Sequence, residues 1–285
     1  MSVNRLRLRS DKLGEILTLN LFGTGTPQKY RLRAATGLDA DDISPVTYGN
    51  GLNSGSRFYT MSLEPRSIVM RIGLNPDVGT GESFQNLRDR VYRAISAGRK
   101  PQINFDLMED SVVKATVEGF ITHVEASSFT AQPEVQVTVS CPYPLFTGSE
   151  VATTSPSVSG EGLLTIDDTT GTAPTGFQMV VDITNPLSSW GFTDAIDGDW
   201  YFNIIYNFLV GDVLYLNTQP GSLEVYVTRF NPGLGTYENI SLGDRVATDS
   251  LWPVLFPGVN YYQISAPTGL YSITSLAYSP KFWGV

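Results

Sequence analysis

Apolar and polar residues alternate with a period of two through much of this chain. Leu6 and Leu8 alternate with Arg5, Arg7 and Arg9, and a second apolar segment runs from Ile16 to Phe22 before the turn-forming GTGTP. Two strands are expected there. Ile68, Met70, Ile72 and Leu74 share one face of a further strand that Asn75-Pro76 ends, and Ile103, Phe105 and Leu107 alternate in another. Val135, Val137, Val139 and Cys141 give the cleanest pattern, stopped by CPYP. Pro142 and Pro144 cannot donate to a ladder, so this strand is expected to close the first half, with Tyr143, Leu145 and Phe146 pinning the chain as it leaves.

Two segments depart from simple alternation. In VVKATVEGFITHVEA (112 to 126) the apolar parity changes, and a bulge at Gly119 is expected to reconcile Val113, Ala115 and Val117 with Phe120, Thr122 and Val124. In GESFQNLRDRVYRAISAG, Phe84, Leu87, Val91 and Ile95 fall on one helical stripe, with Gly98 and Pro101 as the stop and Thr80 or Gly81 near the cap. The polar stretch DADDISPVTYGNGLNSGS, with the turn dipeptide Asn50-Gly51, reads as a long loop or protruding arm.

After Gly148 a Ser/Thr/Gly-rich stretch leads into short strands: 163 to 166, 177 to 183, 200 to 210, 213 to 217, 223 to 230, 260 to 265 and 271 to 278. Clusters such as TQPGS and NPGLG separate them. No helical period of useful length appears here, so a two-sheet sandwich or jelly roll is expected. The fold class is mainly β: an N-terminal β-sandwich with one α-helix, residues 1–147, followed by a second β-sandwich of jelly-roll type, residues 148–285.

Charge sharpens that division. Residues 1–147 carry 16 Lys and Arg against 15 Asp and Glu, whereas residues 148–285 carry 3 against 13. An acidic second half repels phosphate, which argues against nonspecific nucleic-acid binding. The 27 glycines and 17 prolines suit many short strands joined by turns. A single cysteine excludes an internal disulfide and any zinc site built on cysteines. The opening MSVNRLRLRS lacks the continuous apolar core of a secretory signal and reads as a cytosolic start. WYFNIIYNFLV is too short and too interrupted by Asn203 and Asn207 to span a bilayer, so no membrane insertion is expected.

Candidate chemistry is sparse. His123, the only histidine, has no second histidine or cysteine to complete a metal set, and no GxSxG elbow accompanies it. VGTGES lacks both the Lys-Ser/Thr ending of a phosphate loop and the third glycine of a dinucleotide fingerprint. Asp194, Asp197 and Asp199 do not follow EF-hand spacing and read as an acidic loop. Cys141 reads as a small core residue, because no positive charge adjoins it to favour a thiolate. No catalytic constellation remains, so no enzyme activity, metal or cofactor is expected. Trp190 and Trp200 are the candidate glycan contacts, since aromatic faces bind sugar rings by apolar contact.

The order of strands, polar arm, RSIVMRIGLNP, helix and VQVTVSCPYPLF resembles the N-terminal domain of the distal tail protein family of long-tailed bacteriophages. TAPTGFQMVVDITNP, GDVLYLNTQPGSLEVYV and LWPVLFPGVNYYQI before YSITSLAYSPKFWGV resemble that family's galectin-like C-terminal domain. The resemblance covers essentially the whole chain. It implies a non-enzymatic virion protein of the tail tip, or baseplate, assembled in the bacterial host cytoplasm. Copies would form a ring, a hexamer in that family, joining the tail tube protein to a hub or fibre-bearing protein, with genomic DNA passing through the lumen. The polar arm, with Asp39, Tyr48, Asn50, Arg57 and Phe58, is the candidate subunit contact, because a segment too polar to build its own core orders against a partner. Residues 148–285 contain no histidine and only Arg229 and Arg245 as arginines, which departs from the His-Asn-Pro-Arg type motif by which galectins bind sugar. The alternatives are a carbohydrate-binding adhesin or receptor-binding module and, nearer, a tail tube or tube-terminator protein.

Overall fold

Strand alternation becomes burial most completely where Ile68, Met70 and Ile72 lie opposite Val139, Val137 and Val135, all six fully buried. Each such side chain contributes about 1.5–3 kcal/mol on burial. The computed structural model describes residues 5–10, 14–20, 29–39, 43–49, 56–76, 82–94, 102–109, 112–127, 133–154, 156, 158, 162–168, 170–195 and 201–284. The chain is mainly β and divides into two compact units, Met1–Gly148 with Phe282–Val285, and Ser149–Lys281. The last residues, which the sequence alone groups with the second half, thus belong with the first unit.

The first unit contains β1 (Arg5–Ser10), β2 (Gly14–Asn20), β3 (Tyr30–Thr36), β4 (Ile43–Gly49), β5 (Ser56–Leu63), β6 (Arg66–Leu74), α1 (Phe84–Ala94), β7 (Gln102–Glu109), β8 (Val112–Ser127), β9 (Glu134–Cys141) and β10 (Phe146–Gly148). Its main sheet runs β2-β1-β7-β8-β9-β6-β3, with β10 beside β8. β2 and β3, at opposite ends of that order, return close to each other, so the sheet curls around its core. That core holds Leu6, Leu8, Phe105, Leu107, Val117 and Cys141, and Leu87 and Val91 of α1 close it. Ser83 Oγ accepts a hydrogen bond from the Asn86 N–H at 3.2 Å, so Ser83 caps α1, two residues beyond the expected Gly81.

Gly119 does not mark the bulge. Ile121 pairs with Val139 and His123 with Thr138, which leaves Thr122 as the extra residue. Ala115, Val117 and Gly119 face inward together, while Phe120 points out. A Cβ on Gly119 would lie 2.6 Å from Val139 Cγ1 and 2.8 Å from Cys141 Sγ, so close cross-strand packing requires the glycine.

At the exit from β9, Pro142 is exposed, Pro144 buried and Phe146 fully buried, but Tyr143 is 69% exposed and pins nothing. Arg66, also buried, stacks its guanidinium 4.6 Å above the Phe146 ring. It donates hydrogen bonds to the carbonyls of Gly37 and Trp283, which holds the returning C-terminal residues in the first unit. Phe282 joins the same core.

The second unit comprises β11 (Val151–Thr154), β12 (Leu163–Asp168), β13 (Phe177–Ile183), β14 (Leu187–Asp194), β15 (Tyr201–Phe208), β16 (Val213–Asn217), β17 (Glu224–Asn231), β18 (Thr236–Ser241), β19 (Gly258–Ile264) and β20 (Tyr271–Tyr278). β21 (Lys281–Phe282) follows and pairs with β10. Six strands form one sheet, β11-β20-β13-β16-β17-β18, and four form another, β12-β19-β14-β15. Phe177, Met179, Leu214, Leu216 and Val227 of the first pack against Trp190, Phe192, Phe202, Ile204 and Tyr262 of the second. The Phe177 ring meets Phe192 edge-on at 6.2 Å and Tyr262 at 6.1 Å. Two antiparallel sheets facing one apolar core are a β-sandwich. Buried Asp212 anchors one end: it receives two hydrogen bonds from Arg229, at 2.8 and 2.6 Å, and one from the Leu209 N–H at 2.8 Å.

Candidate interaction surfaces

The expected arm is a hairpin rather than a loop. β4 and β5 pair antiparallel from Ile43 opposite Leu63 to Gly49 opposite Ser56, with an irregularity between Val46 and Thr47. Tyr48 lies opposite Arg57, and Thr47 opposite Phe58. Strand formers at these positions outweigh the Gly/Asn-rich sequence around them. The pair joins no other sheet among the described residues. Asp39 is exposed just beyond β3, and Asn50 lies outside the described residues. A two-stranded ribbon is marginal in water by itself, so this one gains most from a surface to lie on.

Of the two tryptophans singled out for glycan contact, the structure describes one. Trp190 is fully buried, its ring edge-on to Phe192 at 4.7 Å, and offers no face to solvent. The apolar face of the four-stranded sheet claims it, which corrects the expectation of sugar contact there. Trp200 lies outside the described residues. Of the others, Trp252 is half-buried against Phe202 at 5.0 Å, and Trp283 is half-buried with its carbonyl bound by Arg66.

The remaining candidates take structural places. His123 is exposed, its Nε2 3.6 Å from Glu125 Oε2. Cys141 is buried and forms no disulfide. Gly79, Gly81, Asp197 and Asp199 lie outside the described residues, and among the described ones no three His, Cys, Asp or Glu side chains converge as a metal site. Polar clusters hold elements together: Asp106 receives Arg7 at 2.6 Å and the Thr116 hydroxyl at 2.9 Å. Glu82 bridges Lys29 at 3.1 Å and Arg90 at 2.7 Å, and these hydrogen bonds lower its pKa. No helix among the described residues is long and apolar enough to cross a membrane.

One surface escapes a motif search. On the outer face of the six-stranded sheet the register aligns Ser275, Val180, Tyr215, Tyr226 and Ser241 across five strands. The Tyr215 and Tyr226 rings stack with centroids 4.8 Å apart and planes 28° from parallel. One flanking row holds Asp182, Val213, Thr228 and Asn239, and the other Gln178, the buried Asn217 and Glu224. The available signal is a tyrosine at the outward position of two successive strands, VLYLN and EVYVTRFN.

No protein-family model matches the sequence, and no curated protein matches it. Solved structures do resemble it. A chain of the phage p2 baseplate, in its activated conformation with strontium, shares 10% identity over 100% of both chains with a TM-score of 0.42. The Dit protein of phage SPP1, described as a paradigm of the hub adsorption apparatus in phages infecting Gram-positive bacteria, is 15% identical. That match covers 97% of this chain and 99% of that one, with a TM-score of 0.62. Over nearly its full length, this chain has the fold of the SPP1 Dit protein.

Proposed function

We propose that this chain is a structural virion protein of a phage tail tip, in which copies assemble into a ring that joins the tail tube to a hub or fibre-bearing protein. The likeness to SPP1 Dit across nearly the full length of both chains carries this reading. The hairpin β4–β5, with Asp39, Tyr48, Asn50, Arg57 and Phe58, is the segment through which one copy contacts the next. A hexameric ring with a lumen wide enough for DNA is the expected assembly, formed in the host cytoplasm and carried in the virion tail. The second unit corresponds to the galectin-like domain of that family.

Native mass spectrometry and negative-stain electron microscopy of the purified full chain test this. Ring-shaped particles of about six copies are expected, by the closed symmetry usual for homo-oligomers. A protein that stays monomeric at high concentration, alone and with tail tube or hub protein added, would sink the proposal.

A further inference from the structure

We propose that the open edge of β18 docks an extended basic segment of another protein, which adds to the six-stranded sheet as a further strand. The other sheet edges of the second unit are guarded. Beside β15 runs the segment after β18, through the bridge between Val246 and Ile204 and the hydrogen bonds from the Ala247 N–H to the Asn203 carbonyl and from the Leu251 N–H to the Tyr201 carbonyl, each at 2.9 Å. Val158 bridges to Leu164 beside β12, and β11 is only four residues long. β18 has none of these protections. It is six residues long, holds no proline, pairs with β17 without a register shift, and has no strand on its other side among the described residues. Proteins ordinarily blunt such an edge with proline, a bulge, charges or a covering segment. Here Glu238 is the one charge.

The register fixes what this edge offers. The Leu242 N–H donates to the Val225 carbonyl at 2.9 Å, so hydrogen-bonded pairs fall at Val225–Leu242, Val227–Ile240 and Arg229–Glu238. The pairs between them, Tyr226–Ser241, Thr228–Asn239 and Phe230–Tyr237, turn their backbone groups away from each other. Tyr237, Asn239 and Ser241 therefore present N–H and C=O groups along the open edge. Ile240 packs on the core, so the side chains of these three residues lie on the outer face. There Phe230 and Tyr237, 49% and 70% exposed, meet edge-on at 5.3 Å, and Leu234 in the turn between the strands is 68% exposed. An apolar residue set opposite Tyr237 by an added strand covers this aromatic pair, while the new ladder satisfies the edge amides.

Charge selects the occupant. Residues 148–285 carry 3 basic against 13 acidic side chains, and Arg229, opposite Glu238, is turned inward onto buried Asp212. A second copy would set one acidic surface against another, and like charges across a strand pair destabilise it. Lysine or arginine alternating with apolar residues answers Glu238 on one face and the aromatic pair on the other.

A library of short random peptides is to be selected on the immobilised full chain, and enriched peptides titrated calorimetrically. Enriched sequences are expected to alternate apolar residues with lysine or arginine, and hydrogen exchange is expected to show new protection at residues 236–241 on binding. Asn239→Pro removes one edge N–H and spares the ladder to β17, so it should weaken binding about tenfold. Tyr237→Lys, at an exposed position, should weaken it about fivefold with the unfolding midpoint unchanged, and it decides the matter if Asn239→Pro fails to fold. No enriched peptide, enrichment of acidic or non-alternating sequences, protection confined to other strands, or binding indifferent to both substitutions overturns the proposal. Self-association that these substitutions abolish overturns it too, by assigning the edge to a second copy. Ring formation, measured on the same protein, reports separately on the tail-tip reading, and peptide docking does not depend on it.

Discussion

Asp168 ends β12 with its side chain fully buried and Oδ2 without a hydrogen-bond partner, while Oδ1 accepts from the Gly171 N–H at 3.1 Å and the Thr170 hydroxyl at 3.4 Å. Burial disfavours the charged form and raises its pKa above the ordinary 3.8, outweighing those two hydrogen bonds. The folded state therefore holds this proton more tightly than the unfolded chain. The stability it contributes is fully present below the ordinary carboxylate pKa and is lost as pH rises through the raised folded value. Asp168→Asn, which cannot ionise, is expected to unfold at higher urea than the parent near neutral pH, with that advantage gone at about pH 4. Urea midpoints at the two pH values check it, and a difference that ignores pH would refute the assignment. Nothing in LLTIDD marks this carboxylate, because its burial depends on strands distant in sequence. Gly119 teaches the same lesson from the other side. A glycine inside a strand signals either a bulge or a close approach, and only the pairing with β9 shows that it is the second.

Among the elements, those that bury one face cleanly were legible. α1 and β6, β9, β13, β16 and β20 lie where periodicity puts them, because every second or third to fourth residue meets a core. β14 and β18 were not. β14 buries Trp190, Gly191 and Phe192 in succession, which erases alternation, and β18 exposes nearly every residue, so no apolar face exists to be read. The hairpin β4–β5 is a third case, a strand pair whose polar sequence imitates a loop. Because a lone two-stranded ribbon is marginal, its amides are expected to exchange rapidly in the unassembled chain and to become protected in the ring. Hydrogen exchange followed by mass spectrometry on both forms measures this. Equal exchange in the two forms would remove the hairpin from the subunit contact while leaving the ring itself to be explained by another surface.

For the whole molecule, the change from balanced to acidic composition near Gly148 was visible in the sequence, and it falls where one unit gives way to the other. The destination of the last residues was not. KFW resembles any short aromatic segment, and its place depends on the Arg66 guanidinium and the Phe146 ring, which lie far back in the chain. That return makes the second unit an insertion in the topological sense: the chain leaves beside β8 at Gly148 and comes back in β21, next to β10. The two ends of the inserted stretch are neighbours in one sheet. Excising 149–281 and joining Gly148 to Phe282 through a short Gly-Ser linker is expected to leave a chain that unfolds cooperatively, measured by circular dichroism. A product without a folding transition would show that the first unit needs the second. With the cooperative transition present, the doorway at β10 and β21 acts as a socket, a fixed pair of posts between which evolution or an engineer exchanges one cargo domain for another while the frame around it stays the same.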